Sequence, residues 1–106
     1  MFSLKWRRKA RPAAEQSLRS FLYRPAPEVM AATREGRVVL LDARRDRFFG
    51  LDEVGTSVWA GLEAGMTFTE IVDTLVTEYD APRATLERDV STFLSNLAES
   101  KLVVNA

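Results

Sequence analysis

The sequence predicts an α+β fold in a winged helix-turn-helix arrangement: a three-stranded antiparallel sheet followed by three helices, with an extra amphipathic helix at the N-terminus. Three observations carry this. Residues 37–62 read as two strands that feed directly into a helix. A capping signal at Thr67 opens a second helix, and the break Asp80-Ala81-Pro82 separates it from a third. Two helices across so short a break, beside a small antiparallel sheet, are the pattern of a winged helix-turn-helix.

Along the chain, Ala14, Leu18, Phe21 and Leu22 fall at helical spacing after Pro12, and Pro25 and Pro27 stop the pattern. A helix over 13–23 is expected. At that length it is marginal alone, so it either frays or docks on this domain or a partner. Residues 29–33 form a first strand, turned back by Arg34-Glu35-Gly36, where glycine supplies a positive φ. The apolar run Val38, Val39, Leu40, Leu41 is the second, broken at Arg44-Arg45-Asp46 as by a tight turn. The third covers 47–51, with Phe49 and Leu51 on one face and Phe48 and Gly50 on the other. Gly50 marks either a bulge or bend, or a place where another backbone comes close. Connections this short pair the three as an antiparallel meander.

Asp52 then caps a helix with Val54, Val58, Trp59 and Leu62 on one stripe, ended by Gly65. Thr67 and Glu70 make a capping box, with Met66 and Ile71 as its hydrophobic staple, and the helix buries Ile71, Val72, Leu75, Val76 and Tyr79. The last helix, over 83–100, carries Leu86, Val90, Phe93, Leu94 and Leu97, a stripe wide enough for both a core and a groove. The apolar tail at Leu102, Val103 and Val104 packs back as a cap or short strand.

Composition narrows the function. With no cysteine and no histidine, disulfides and thiolate or imidazole metal sites are excluded, and Ser57, Ser91 and Ser95 have no imidazole to activate them. The glycines form neither a phosphate loop nor a dinucleotide fingerprint, so no cofactor is expected. Of the paired carboxylates, Asp52 and Glu53 are accounted for by a helix start and Asp89 by a surface or rim position. A non-enzyme is expected. The net charge of zero hides a division: residues 1–24 hold seven bases and one acid, and residues 25–106 hold eight bases and fourteen acids. The chain therefore divides into a basic N-terminal arm with its short helix, 1–24, and a globular domain, 25–106. The arm suits an acidic partner, the body itself or a polyanion. No run is long enough for a signal peptide or a membrane span, so a cytoplasmic protein with no membrane partner is expected.

Two classes of function stay open. A winged-helix regulator or adaptor would contact nucleic acid or another protein. The last helix, however, sets Arg83 and Arg88 against Glu87, Asp89 and Glu99, the wrong sign for phosphate, so no nucleic acid is expected there. Peptide binding is the other class. An extended peptide can add itself to the open edge at Phe48, Phe49 and Gly50, with side-chain pockets between that strand and the last helix. A purely structural role competes for Phe49, Leu51, Phe93 and Leu97.

The string LLDARRDRFFGLDEVGTSVWAGLEAGMTFTEIVDTLVTEYD, with LERDVSTFLSNLAESKLV after it, resembles the PqqD-like family of precursor-peptide recognition domains, from about Pro27 to Val104. Its most specific part, LDARRDRFFGLDEVG, is most similar to the leader-binding domains of lasso peptide biosynthesis. The resemblance implies a non-catalytic domain that binds the leader of a ribosomally made precursor peptide and presents it to modifying enzymes such as a leader peptidase and a cyclase. It implies the leader as an added antiparallel strand beside Arg47, Phe48, Phe49, Gly50 and Leu51. The helix wall would be Leu86, Asp89, Val90, Phe93 and Leu94. Ser100-Lys101 stands where the family often has a glycine, and the arm has no counterpart in the family domain.

Overall fold

A computed structural model describes residues 23–105. The elements run β1 (Tyr23–Pro25), β2 (Val29–Arg34), β3 (Arg37–Asp42), β4 (Arg47–Gly50), α1 (Glu53–Glu63), α2 (Phe68–Glu78), α3 (Arg83–Glu99) and β5 (Val103–Asn105). Strands β2, β3 and β4 form the expected antiparallel meander in that spatial order, and three helices follow it. The expected helix over 13–23 lies outside the described residues except for Tyr23.

Each hairpin is set by its turn. Arg34 pairs with Arg37 across a two-residue loop in which Glu35 (φ 53) and Gly36 (φ 80) are both left-handed. This is a type I′ turn, whose twist matches that of the strands it joins. The next hairpin closes at Asp42 opposite Arg47, with Arg45 N–H donating to Asp42 O (3.3 Å) and Asp46 left-handed at φ 54. Aspartate is among the few residues that visit that region readily. Beyond Gly50 the ladder makes one more bond, Leu51 N–H to Val38 O (2.9 Å). Val38 N–H donates instead to Thr56 Oγ1 of α1 (3.0 Å), so the end of β3 is stitched to a helix.

Asp52 caps α1 by accepting from Gly55 N–H at 2.7 Å. The helix ends at Ala64 with Gly65 left-handed behind it, and α2 opens with both halves of the Thr67–Glu70 capping box formed. Phe68, Ile71, Val72 and Leu75 are buried along α2, but Val76, expected inside, is 40% exposed. At 100° per residue Val76 lies well off the line joining Phe68, Ile71, Val72 and Leu75, so the core takes the narrower stripe. Helix α3 starts behind Pro82 without a side-chain cap and buries Leu86, Val90, Ser91, Leu94 and Leu97. These side chains, with Leu40 and Leu51 of the sheet side and Val58, Trp59 and Leu62 of α1, form one core under the inner face of the sheet.

After α3 the chain reverses at Lys101 (φ 62), and Leu102 and Val103 pack into the core. The tail is a strand, β5, paired antiparallel with β1. Tyr23 and Arg24 thus differ from the expected arm: they face Asn105 and Val104 in that pair, because extended backbone next to β5 gains ladder bonds that a helix ending there would forgo.

Glu35 occupies a left-handed position at which asparagine is preferred, ahead of a glycine already in place. Glu35→Asn is expected to raise stability by a few tenths to ~1 kcal/mol, read as a higher urea midpoint with unchanged slope.

Candidate peptide-binding edge and groove

No described strand covers the outer side of β4. The bond from Leu51 N–H to Val38 O fixes the phase of the strand: backbone groups of Arg47, Phe49 and Leu51 turn toward β3, and those of Phe48 and Gly50 turn outward. Two N–H and two C=O groups therefore point where a further strand would lie. Gly50 stays in regular register opposite Val39, without a bulge, and a Cβ built on it would meet nothing within 4 Å. The Phe48 side chain is 69% exposed, in a cross-strand row with Leu41 and the exposed Met30 on the outer face of the sheet. Phe49 and Leu51 point the other way, Phe49 half-buried and Leu51 in the core.

The first residue of β4 is tied down. Arg47 Nη2 donates to Asp42 Oδ2 at 2.8 Å and to Ser100 O, at the end of α3, at 2.7 Å. Its guanidinium also lies 5.0 Å from the centre of the Phe49 ring, a cation–π contact. Arg45 Nη1 reaches the same Asp42 oxygen at 3.3 Å. Asp42 is buried on the core face, and the Arg47 hydrogen bond holds its carboxyl below the ordinary value of 3.8; burial opposes this, and Arg45 adds to it. Asp42 Oδ1 and Arg47 Nε have no hydrogen-bond partner among the described residues.

The other end of β4 leads into a groove of about 560 Å³ between the start of α1, the α2–α3 connection and α3. Val54, Val58, Leu86, Val90 and Phe93 supply apolar surface, Tyr79 and Ala81 close one side, and Asp52, Thr85, Asp89, Thr92 and Asn96 supply the polar groups. The Phe93 ring fits against Gly55, where an added Cβ would come within 3.2 Å of Cζ. Arg47 at Ser100 and Gly55 at Phe93 show that β4 and α3 run in opposite senses, and their backbones make no extensive contact between those two points.

The ten residues singled out from the sequence are thus only partly brought together. Leu86, Asp89, Val90 and Phe93 line the groove, while Arg47, Phe48, Phe49, Gly50 and Leu51 form the neighbouring edge and do not line it. Leu94 is 3% exposed and sits in the core behind the groove. Sequence reasoning missed Gly55 and the residues Thr85, Thr92 and Asn96, which fall in one row with Asp89. Both had a signal: a glycine inside a helix invites close packing, and those four positions recur at helical spacing beside the apolar stripe.

Comparison with known proteins bears on this geometry. Residues 37–103 match the family described as coenzyme PQQ synthesis protein D (PqqD). Among solved structures, TbiB1 in complex with the TbiA(beta) leader peptide is similar at 40% sequence identity, over 76% of this chain and 93% of that one, with a TM-score of 0.73. Lasso peptide synthetase B1 complexed with the leader peptide is similar at 26% identity, over 77% of this chain and 96% of that one, with the same TM-score of 0.73. No curated protein matches the chain.

Because the Asp42 carboxyl titrates below its ordinary value in the folded state, its contribution to stability is full above pH 3.8 and is lost as the pH falls below that through the folded-state value. Asp42→Asn is expected to destabilise the protein at neutral pH and to flatten the acid limb of the stability curve, measured by urea unfolding at a series of pH values. Leu94→Ala is expected to cost ~2–5 kcal/mol of stability, as a core truncation does.

Proposed function

Since the chain belongs to the PqqD family, we propose that it is a non-catalytic recognition domain for the leader region of a ribosomally synthesised precursor peptide. The leader adds itself as an antiparallel strand to the outer edge of β4, and its side chains enter the space between β4 and α3. The observation that carries this is the edge itself: Phe48 and Gly50 turn backbone groups outward that no described strand pairs with, beside an apolar groove on α3. Two solved structures similar to this chain, both complexes with leader peptides, support the reading.

Strand addition divides the work. Backbone bonds to Phe48 and Gly50 set the register, and alternate leader side chains take the pockets that set selectivity. Arg47 holds the edge in place against α3, and Phe49 and Leu51 support it from the core side. Leu86, Asp89, Val90 and Phe93 form the groove wall, and Leu94 backs it. We read β2–β4 with α2 and α3 as a winged helix-turn-helix whose last helix serves a peptide, since Arg83 is engaged by Asp73 (2.7 Å) and Glu87 (3.2 Å). A leader peptidase, a cyclase or another modifying enzyme then receives the bound leader, in the cytoplasm.

Titration of leader peptides from candidate precursors into the full chain tests this. A cognate leader binds saturably, and a scrambled one does not; equal affinity for both would overturn the proposal. Gly50→Pro is the sharper variant. It removes an N–H that points away from β3, so the ladder within the sheet keeps its bonds while the incoming strand loses a donor and meets the ring. Leader affinity is expected to fall at least ~10-fold with the melting temperature little changed, since one backbone bond contributes ~0.5–1.5 kcal/mol and the ring adds steric exclusion.

A further inference from the structure

Among the described residues, the charges lining the groove are all of one sign: Asp52 and Asp89 line it, and no described Lys or Arg does. Asp52 Oδ1 is oriented by the Gly55 N–H at 2.7 Å. The cation beside Asp89 is Arg88, with Nε 3.8 Å from Oδ1 and side chains 47% and 63% exposed, a pair too open to neutralise the rim. Arg83 is already held by Asp73 and Glu87. Thr92 Oγ1, also on the lining, is buried and has no partner among the described residues. Acidic rim, apolar floor and unused hydroxyl together define what kind of peptide segment fits.

The direction of the strand says which segment that is. A peptide antiparallel to β4 passes Leu51 before it reaches Arg47, and the groove lies beyond Leu51, where Asp52 and Gly55 follow in the chain. We infer that the groove takes the part of the leader N-terminal to the added strand, with an apolar side chain on the floor and an adjacent Lys or Arg facing Asp52 and Asp89. This rests on the leader-binding reading above and goes beyond it in assigning a charge to the ligand. A leader segment laid along the groove covers part of this exposed rim and so reduces the screening that water gives such a pair, and a leader carboxylate in the same place would meet two like charges. The rim therefore rejects as well as binds, which is how charge serves specificity.

The test is a charge scan of the leader that binds in the titration above, made as fluorescent synthetic peptides with Lys, Gln or Glu at each position of the N-terminal half, on the full chain. At one position beside the apolar anchor, Lys binds tighter than Gln and Gln tighter than Glu, by up to about five-fold per step at low salt, and the spread shrinks at high salt. Asp89→Asn narrows the spread and Asp89→Lys inverts it, with the melting temperature unchanged because Asp89 is exposed. A scan that is flat, or an order that Asp89→Lys leaves as it was, overturns the inference while the leader still binds. If the unmodified leader does not bind at all, the leader-binding reading has failed and this inference falls with it.

Discussion

A carboxylate on the core face of a β-sheet has to find cations, and Asp42 organises this molecule through the ones it finds. Its direct cross-strand partner is Arg47, and the same guanidinium nitrogen that bonds the carboxylate continues to the carbonyl of Ser100, which caps the end of α3. One side chain thereby joins the hairpin to the far end of a helix some fifty residues away in sequence. An ion pair with one partner fully buried contributes little net stability against well-packed apolar residues, because Asp42 loses its water and Arg47 part of its own. What it does contribute here is position.

With Arg47 held at Ser100, and Gly55 of α1 seated against Phe93, the backbones of β4 and α3 make no extensive contact between those two points. The strand turns the backbone groups of an aromatic and a glycine toward a side that no described strand covers, where edge strands in most proteins carry charges, prolines or a covering loop. An edge that no described strand covers can accept a further strand through backbone bonds, which demand extended conformation rather than a particular sequence. In the proposed binding mode selectivity falls to the helix wall and groove. There Phe93 and Val90 supply apolar surface, and Asp89 with Asp52 supplies charge of one sign.

The division of charge along the chain has a structural counterpart. From Asp52 to Glu99 the acids greatly outnumber the two arginines, Arg83 and Arg88, and both of these already lie beside carboxylates. The helical layer thus presents mainly negative charge among the described residues, the sign opposite to what a phosphate backbone requires. The sheet side, with Arg34, Arg37, Arg44, Arg45 and Arg47, is close to balanced by its own acids.

The sequence by itself determined the meander, the three helices and their caps, because these follow from local rules: alternation along Phe48 to Leu51, the Thr67–Glu70 box, proline at 82. It also placed Phe48 and Gly50 on one face and Phe49 and Leu51 on the other, which the structure repeats, and the family resemblance pointed to the edge and to α3. Only the tertiary structure decided which apolar residues of α3 serve the core and which the groove. Leu94 and Phe93 are neighbours on one stripe, and what separates them is the position of Gly55 on another helix. Likewise β1 and β5 are each three residues long, too short for a periodic signal, and exist as strands because segments more than seventy residues apart meet. The Arg47 tie to Ser100 belongs with these: an arginine opposite an aspartate is legible in a hairpin, but the carbonyl it goes on to reach is brought there by the whole fold.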